Sequence, residues 1–210
     1  MEHNTNPLNE MSMLAAVSHL RLADGRLAAL MERVGPCRLH EKSGGRLWVL
    51  VSSIVSQQLS NKAASTILAR MRALVGHNER LLAARLCKAD PSLLKTCGLS
   101  AAKLQAITAV ASAVASGTLD LDQFDGRSDE EVSVTLREHR GVGPWTVQMF
   151  LIFGLHRTDV FAMGDVGLRR GLMLLHGLDA KPTDDMIAEL TDHWRPYRTV
   201  ASWYLWRLLD

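Results

Sequence analysis

The sequence predicts an all-α protein. No stretch sustains the period-2 alternation of a strand, several stretches place apolar residues at i, i+3, i+4 and i+7, and the breaks between them carry helix-capping chemistry rather than hairpin turns. In chain order the pattern gives helices at about 9–22, 25–34, 46–57, 61–75, 79–87, 91–97, 101–115, 129–139, 144–154, 166–176, 184–192 and 197–208. Asp90-Pro91 puts an N-cap before a proline at the first helical position. Ser100 precedes the run to Ala115, Ser128 with Glu131 makes a capping box, and Thr183 after Pro182 caps the helix to Asp192.

The chain has 210 residues, 47% hydrophobic and 22% charged, with a formal net charge of +2. That length suits one large domain or two small lobes sharing an interface, and the absence of linker-like tracts means that two lobes would be packed rather than tethered. No apolar run approaches the roughly 18 residues of a membrane span, and the start, Met-Glu-His-Asn-Thr-Asn-Pro, has no secretory pattern. No membrane association and a cytoplasmic location are expected. The three cysteines, Cys37, Cys87 and Cys97, are widely spaced with no Cys-x-x-Cys, so all three are read as buried small hydrophobes. Two biases stand out: nine of eleven aromatics lie at or after position 145, and the cations are 18 Arg against 6 Lys. Arginine suits phosphate and base-edge contacts.

Residues 136–147, Leu-Arg-Glu-His-Arg-Gly-Val-Gly-Pro-Trp-Thr-Val, describe a helix end, a glycine-rich turn and a new helix. Such a turn lets the backbone approach another body closely, and the amides opening the second helix favour an anion such as a DNA phosphate. Arg137, Arg140 and Arg157 flank it with positive charge. A tight helix–helix turn that needs glycine for its own conformation explains the same residues. Asp165 follows Gly164 and precedes a helix-compatible run, so its carboxylate belongs at a helix N-terminus. It is either an ordinary N-cap or a group that stabilises developing positive charge on a substrate. Asp159, before the apolar Val160-Phe161, is read as structural. His139, His156, His176 and His193 are unclustered and are assigned neither metal nor catalysis.

The run Gly141-Val142-Gly143-Pro144-Trp145-Thr146, followed by Asp159-Val160-Phe161 and Asp165, resembles the helix-hairpin-helix DNA glycosylase superfamily. The nearest branch is the AlkA-type 3-methyladenine DNA glycosylase II. Ser53-Ile54-Val55-Ser56-Gln57-Gln58-Leu59-Ser60-Asn61-Lys62-Ala63-Ala64 is similar to the family's duplex-inserting segment. Gly98-Leu99-Ser100 with Lys103 matches a further element, and Trp194-Arg195-Pro196-Tyr197-Arg198 through Ala201 and Trp206 matches the C-terminal signature. The resemblance covers about residues 45–208.

It implies one two-lobed helical glycosylase unit with its active-site cleft between the lobes: lobe 1 at about 1–42 plus 159–210, lobe 2 at about 43–158 with the hairpin at 136–147. Residues 1–42 are then helices packed on the C-terminal lobe. Asp165 would be the catalytic aspartate, and Trp145, Trp206 and Met149 would line the base pocket. Gln57, Gln58 and Leu59 would form the DNA wedge, with Gln58 at its tip. Gly141, Gly143, Thr146 and Val147 would bind phosphate, and the backbone carbonyls of Arg137, His139 and Val142 would hold a monovalent or divalent cation. The implied partner is double-stranded DNA containing alkylated bases, met by a monomer that is nucleoid-associated when bound.

The implied reaction is hydrolysis of the N-glycosidic bond of 3-methyladenine- or 7-methylguanine-type purines. Ordinary glycoside hydrolysis uses two carboxylates, but a ring-alkylated purine is already cationic and leaves neutral, so one suffices and no cofactor is required. Two tryptophans would select a cationic base by cation–π attraction of about 0.5–2 kcal/mol each. Trp145 stands where strand-cutting members carry a Schiff-base lysine, which implies a monofunctional enzyme leaving an abasic site. The sequence departs from the family at Ala162, where a proline is common and whose loss would loosen the loop to Asp165. It departs also at Arg140, and at Met149, where a further aromatic can occur. A non-catalytic helix-hairpin-helix module that binds damaged DNA and a glycosylase for deaminated or oxidised bases are the alternatives.

Overall fold

The computed structural model describes residues 7–41 and 44–209. Among them the chain forms twelve α-helices and no strand, with one isolated antiparallel bridge between Pro7 and Arg157. The helices are α1 (Glu10–Ala23), α2 (Gly25–Val34), α3 (Arg46–Ser56), α4 (Asn61–Val75), α5 (Glu79–Lys88), α6 (Pro91–Thr96), α7 (Ala101–Ser116), α8 (Asp129–Arg137), α9 (Pro144–Phe153), α10 (Val166–His176), α11 (Asp184–Asp192) and α12 (Arg198–Arg207). Two 3₁₀ turns, Leu39–Glu41 and Leu121–Phe124, add to the sequence expectation. Each spans about one turn, too short to show an apolar period. None of the described helices is long and apolar enough to cross a membrane.

The expected caps form. Asp90, Ser100 and Thr183 accept from the amides of Ser92, Lys103 and Met186, and Ser128 exchanges bonds with Glu131 in a capping box. Each such cap satisfies an amide that the helix itself leaves unpaired, for about 1 kcal/mol.

The chain divides into two compact units, Gly44–Phe150 and the pair Met1–Ser43 with Leu151–Asp210. The second crossing falls inside α9, earlier in the chain than the expected 158/159. Leu151 groups with the later residues because its carbonyl accepts the Arg157 amide (2.9 Å), folding the post-helix loop back on the helix end.

In the Gly44–Phe150 unit, α3, α5 and α7 pack around Leu50, Ile54, Leu82, Leu86, Ile107 and Val110, all buried. Arg46 at the start of α3 ties down the second 3₁₀ turn by donating to the Leu121 carbonyl and pairing with Asp122 and Asp125. Cys97 is buried, but Cys87 is exposed, contrary to expectation: Leu82 and Leu86 take the inner face of α5 and turn position 87 outward.

In the other unit, α1 and α2 pack with α10 and α12. Its centre holds Trp194, whose Nε1 donates to Asp24 Oδ2 (3.0 Å). Asp24 is the N-cap of α2, with Oδ1 accepting the amides of Arg26 and Leu27, while His193 Nε2 lies 3.3 Å from Oδ2. His176 stacks on the same tryptophan at 6.3 Å, so His176 and His193 do come together, as members of a structural network. Burial holds the His176 imidazolium below its usual pKa.

Candidate functional site

Asp165 is the N-cap of α10, its Oδ1 accepting the Leu168 amide at 2.8 Å. The same oxygen accepts a second hydrogen bond, from Trp206 Nε1 at 3.1 Å. The ordinary capping role and a chemical one are therefore compatible: the cap fixes the side-chain rotamer, and the indole defines where an aromatic surface meets the carboxylate. The Trp206 ring stacks on Phe153, with centroids 5.8 Å apart and planes 26° apart. Trp203 is buried against Tyr204 with the Arg207 guanidinium 4.7 Å from its ring, so it belongs to the core.

Two glycines bring α12 close enough for this. A Cβ at Gly171 would lie 2.9 Å from the Leu205 carbonyl oxygen, so only glycine lets the helices meet at that spacing. One turn earlier, a Cβ at Gly167 would lie 3.0 Å from Asp165 Oδ1 and 3.2 Å from Trp206 Cδ1. Gly167-x-x-x-Gly171 thus presents a bare stripe of α10 to α12.

The loop delivering Asp165 is tied down in spite of Ala162. Asp165 N donates to the Ala162 carbonyl (2.8 Å), and Arg169 Nε donates to the Met163 carbonyl (2.7 Å). Arg169 also donates to the Pro182 carbonyl and pairs with Asp184. Asp159 is structural as expected: Arg198 grips it through Nε and Nη2 (2.6 and 3.0 Å), and Arg195 adds a bond at 2.7 Å. Thr199 Oγ1 accepts the Val160 amide, pinning the start of α12 to the same loop.

The hairpin between α8 and α9 lies in the Gly44–Phe150 unit. Its turn closes with the Val142 amide on the His139 carbonyl (3.0 Å). The two glycines differ. Gly141 has φ +89°, and a Cβ there would meet Ala106 Cβ of α7 at 2.5 Å. Gly143 has ordinary φ and nothing within 4 Å of a Cβ, so the protein's own packing does not require glycine there. Gly141→Ala is expected to lower stability by about 2 kcal/mol or more through left-handed strain and overlap. Gly143→Ala leaves the melting temperature unchanged; if the open side receives a phosphate, it weakens duplex binding instead. Thermal melts and fluorescence anisotropy on both variants check the contrast.

Several expected members of the site change role. Val147 N donates to the Gly143 carbonyl (3.1 Å) as the first helical bond of α9, so it is not a phosphate donor. Thr146 is buried and its hydroxyl accepts from Gln57 Nε2 (2.8 Å), so its side chain is spent on the protein itself. Gln57 Nε2 also donates to the Gly141 carbonyl (2.8 Å), so this side chain is committed to the hairpin and is not a wedge group. Gln58 and Leu59 are exposed on the α3–α4 turn, Gln58 with φ 57°. Met149 is 5% exposed and presents almost no open surface to a base. Trp145, half-buried at the start of α9, lies in the hairpin's unit, apart from Asp165 and Trp206 in the division of the chain. Arg137 and Arg140 are exposed, but Arg157 is buried and supplies no surface charge. The described residues include no group of three or more His, Cys, Asp or Glu able to hold a metal ion.

The sequence reading missed Phe153, Gly167 and Gly171. The Gly-x-x-x-Gly spacing in α10 was the available signal for the glycines; Phe153 gave none beyond an apolar helix end.

Residues 51–196 match the model of the HhH-GPD superfamily of base excision DNA repair proteins. The chain belongs to this superfamily. The HhH-GPD match takes in Gln57, the hairpin and Asp165 and ends at Pro196, so Trp206 lies beyond it. The protein named DNA-3-methyladenine glycosylase 1 of Schizosaccharomyces pombe is 32% identical over 200 residues, covering 93% of this chain and 87% of that protein. Among solved HhH-GPD-like structures, the 3-methyladenine DNA glycosylase Mag1 of the same yeast, in complex with abasic DNA, has a TM-score of 0.82 at 32% identity over 92% of this chain and 95% of that one. A DNA-3-methyladenine glycosidase from Bacillus halodurans has a TM-score of 0.74 at 37% identity, over 91% and 88% of the two chains.

Proposed function

We propose that this HhH-GPD protein is a monofunctional DNA glycosylase that excises alkylated purines of the 3-methyladenine and 7-methylguanine type from double-stranded DNA. The observation that carries the reading is the shared Asp165 oxygen, which joins a carboxylate and the Trp206 indole in one fixed group. An alkylated purine carries positive charge, so an aromatic face attracts it and a carboxylate stabilises the sugar from which it departs. The named activities of the relatives support the same substrate class.

The target nucleotide is flipped from the stack, at a cost of a few kcal/mol. Gln58 and Leu59, the exposed residues of the α3–α4 turn, fill the gap it leaves. The C1′–N bond breaks with its electron pair passing to the cationic base, which leaves neutral. Asp165 faces the developing oxocarbenium charge at C1′, and water adds there, releasing its proton to solvent. The product is an abasic site and a free base; no cofactor enters.

The hairpin holds a backbone phosphate through the amides at Gly143 and the opening turn of α9. The carbonyls of Arg137, His139 and Val142 would hold a cation at this turn, which would supply positive charge for the phosphate. The Val142 amide occupies one lone pair of the His139 oxygen and leaves the other. With contacts of this kind a net charge of +2 is enough for duplex binding, because the donors are backbone groups.

Single-lesion duplexes carrying 7-methylguanine, 3-methyladenine, hypoxanthine or 8-oxoguanine test the reading. Free 7-methylguanine and 3-methyladenine are expected, with strand breaks appearing only after alkali. Breaks without alkali would overturn the monofunctional assignment, and excision confined to hypoxanthine or 8-oxoguanine would overturn the substrate class.

A further inference from the structure

We infer that Gln57 is a positioning residue that couples the wedge turn to the phosphate-binding hairpin. This rests on the glycosylase reading for its purpose, but its geometry lies wholly within the Gly44–Phe150 unit. The Gln57 amide nitrogen has two protons, and both point at the hairpin: one to the Gly141 carbonyl, one to the buried Thr146 hydroxyl, each at 2.8 Å. The backbone of the same residue is anchored separately. Lys103 of α7 reaches the C-terminus of α3 and donates through Nζ to the carbonyls of Val55 (2.7 Å) and Gln57 (2.8 Å). A cation at a helix C-terminus complements the dipole and satisfies carbonyls the helix leaves unpaired. Burial lowers the Lys103 pKa, in keeping with an ammonium withdrawn from water to do this.

The hairpin end of the link is equally fixed. Gly141 sits at φ +89° so close to Ala106, also of α7, that no Cβ would fit between them. The wedge turn therefore hangs from the hairpin and α7 by opposite ends of one residue. Next along the chain, Gln58 takes a left-handed conformation (φ 57°), and the Leu59 amide closes the turn on the Ser56 carbonyl at 3.2 Å. The exposed pair follows wherever the link holds it. A phosphate caught by the hairpin amides thereby sets the register at which Gln58 and Leu59 meet the base stack. Were Gln57 itself inserted in the stack, both of its hairpin bonds would have to break.

A readout independent of chemistry separates this inference from the glycosylase reading. A duplex containing a tetrahydrofuran abasic analogue beside 2-aminopurine reports insertion by its fluorescence, and anisotropy on the same duplex reports binding. Wild-type protein is expected to change the 2-aminopurine signal. Gln57→Ala and Gln57→Glu, which removes the donors at nearly constant size, are expected to bind within about fivefold of wild type with less than half of that change. Thr146→Val, lacking one of the two acceptors, falls between. Gln57→Ala combined with Gln58→Ala is no worse than the weaker single variant, because both act through one insertion step. Full insertion by folded Gln57→Glu, additive losses in the double variant, or no wild-type signal at all would each overturn the coupling. Excision of 7-methylguanine, followed in parallel, is expected to drop at least tenfold in the duplex but less than threefold when the lesion lies in an unpaired bulge. Equal losses on both substrates would make Gln57 merely structural. Failure of wild-type excision alone would remove the glycosylase reading and leave the insertion measurement standing.

Discussion

Asp165→Asn lowers single-turnover excision of 7-methylguanine from duplex DNA by at least about 10²–10³-fold, the range lost when one preorganised electrostatic group is removed from a transition state. The variant isolates charge from structure. Asparagine is as good an N-cap as aspartate, and its carbonyl oxygen can still accept from the Leu168 amide and from Trp206 Nε1. The thermal midpoint and duplex affinity are therefore expected to stay near wild type. Asp165→Ala provides the contrast, since it loses the cap as well: about 1 kcal/mol, or roughly 2–4 °C for a chain of this size. Excision by folded Asp165→Asn at the wild-type rate would sink the catalytic assignment and favour a non-catalytic module that binds damaged DNA.

The largest stability effect is expected at Asp24, in the hydrogen-bonded network around Trp194. Asp24→Ala should destabilise by about 3 kcal/mol, combining a lost N-cap with the desolvation cost of leaving the buried Trp194 Nε1 unpaired. Urea titration of both proteins gives the difference directly. The pH dependence has a definite sign. Burial alone would raise the Asp24 pKa, but the bonds from Leu27, His193, Trp194 and Arg26 together bring it below its usual 3.8. A depressed folded-state pKa means that the unfolded chain takes up the proton first as pH falls, so this contribution is present above about pH 4 and is lost on acidification. The alanine variant should show a shallower acid limb below that point. His176, whose pKa burial holds below 6.5, adds an earlier loss of stability as pH falls past that value, and His176→Asn should remove it.

The helices were legible because their signals are local. Ser128 with Glu131, Asp90 with Pro91 and Ser100 all sit beside the groups they satisfy. Asp165 could be placed as a cap for the same reason. What else it touches could not, because Trp206 is 41 residues away in sequence and the bond between them depends on two glycines that bare one face of α10. Gln57 shows the opposite failure. Its neighbourhood suggested a wedge residue beside the tip at Gln58, yet its amide serves a hairpin 84 residues later, and no pattern in Gln57-Gln58-Leu59 tells which of them turns inward. Arg157 and Cys87 went wrong through composition: a charged type was assumed exposed and an apolar one buried, while the register of each segment decided otherwise.

One bond in this structure limits how the protein could be retuned. Trp206 donates its N–H to the Asp165 carboxylate and, in the proposed pocket, would also offer a ring face to the base, so any exchange at position 206 is expected to alter discrimination and turnover together. Phenylalanine would keep a π-surface and discard the donor; histidine would offer a donor in a different place. Phe153, which meets the indole through its ring face, is the neighbour at which substrate choice could be adjusted while the Nε1–Oδ1 link stays whole. A search for variants with altered lesion range should therefore randomise position 153 and hold 206 constant.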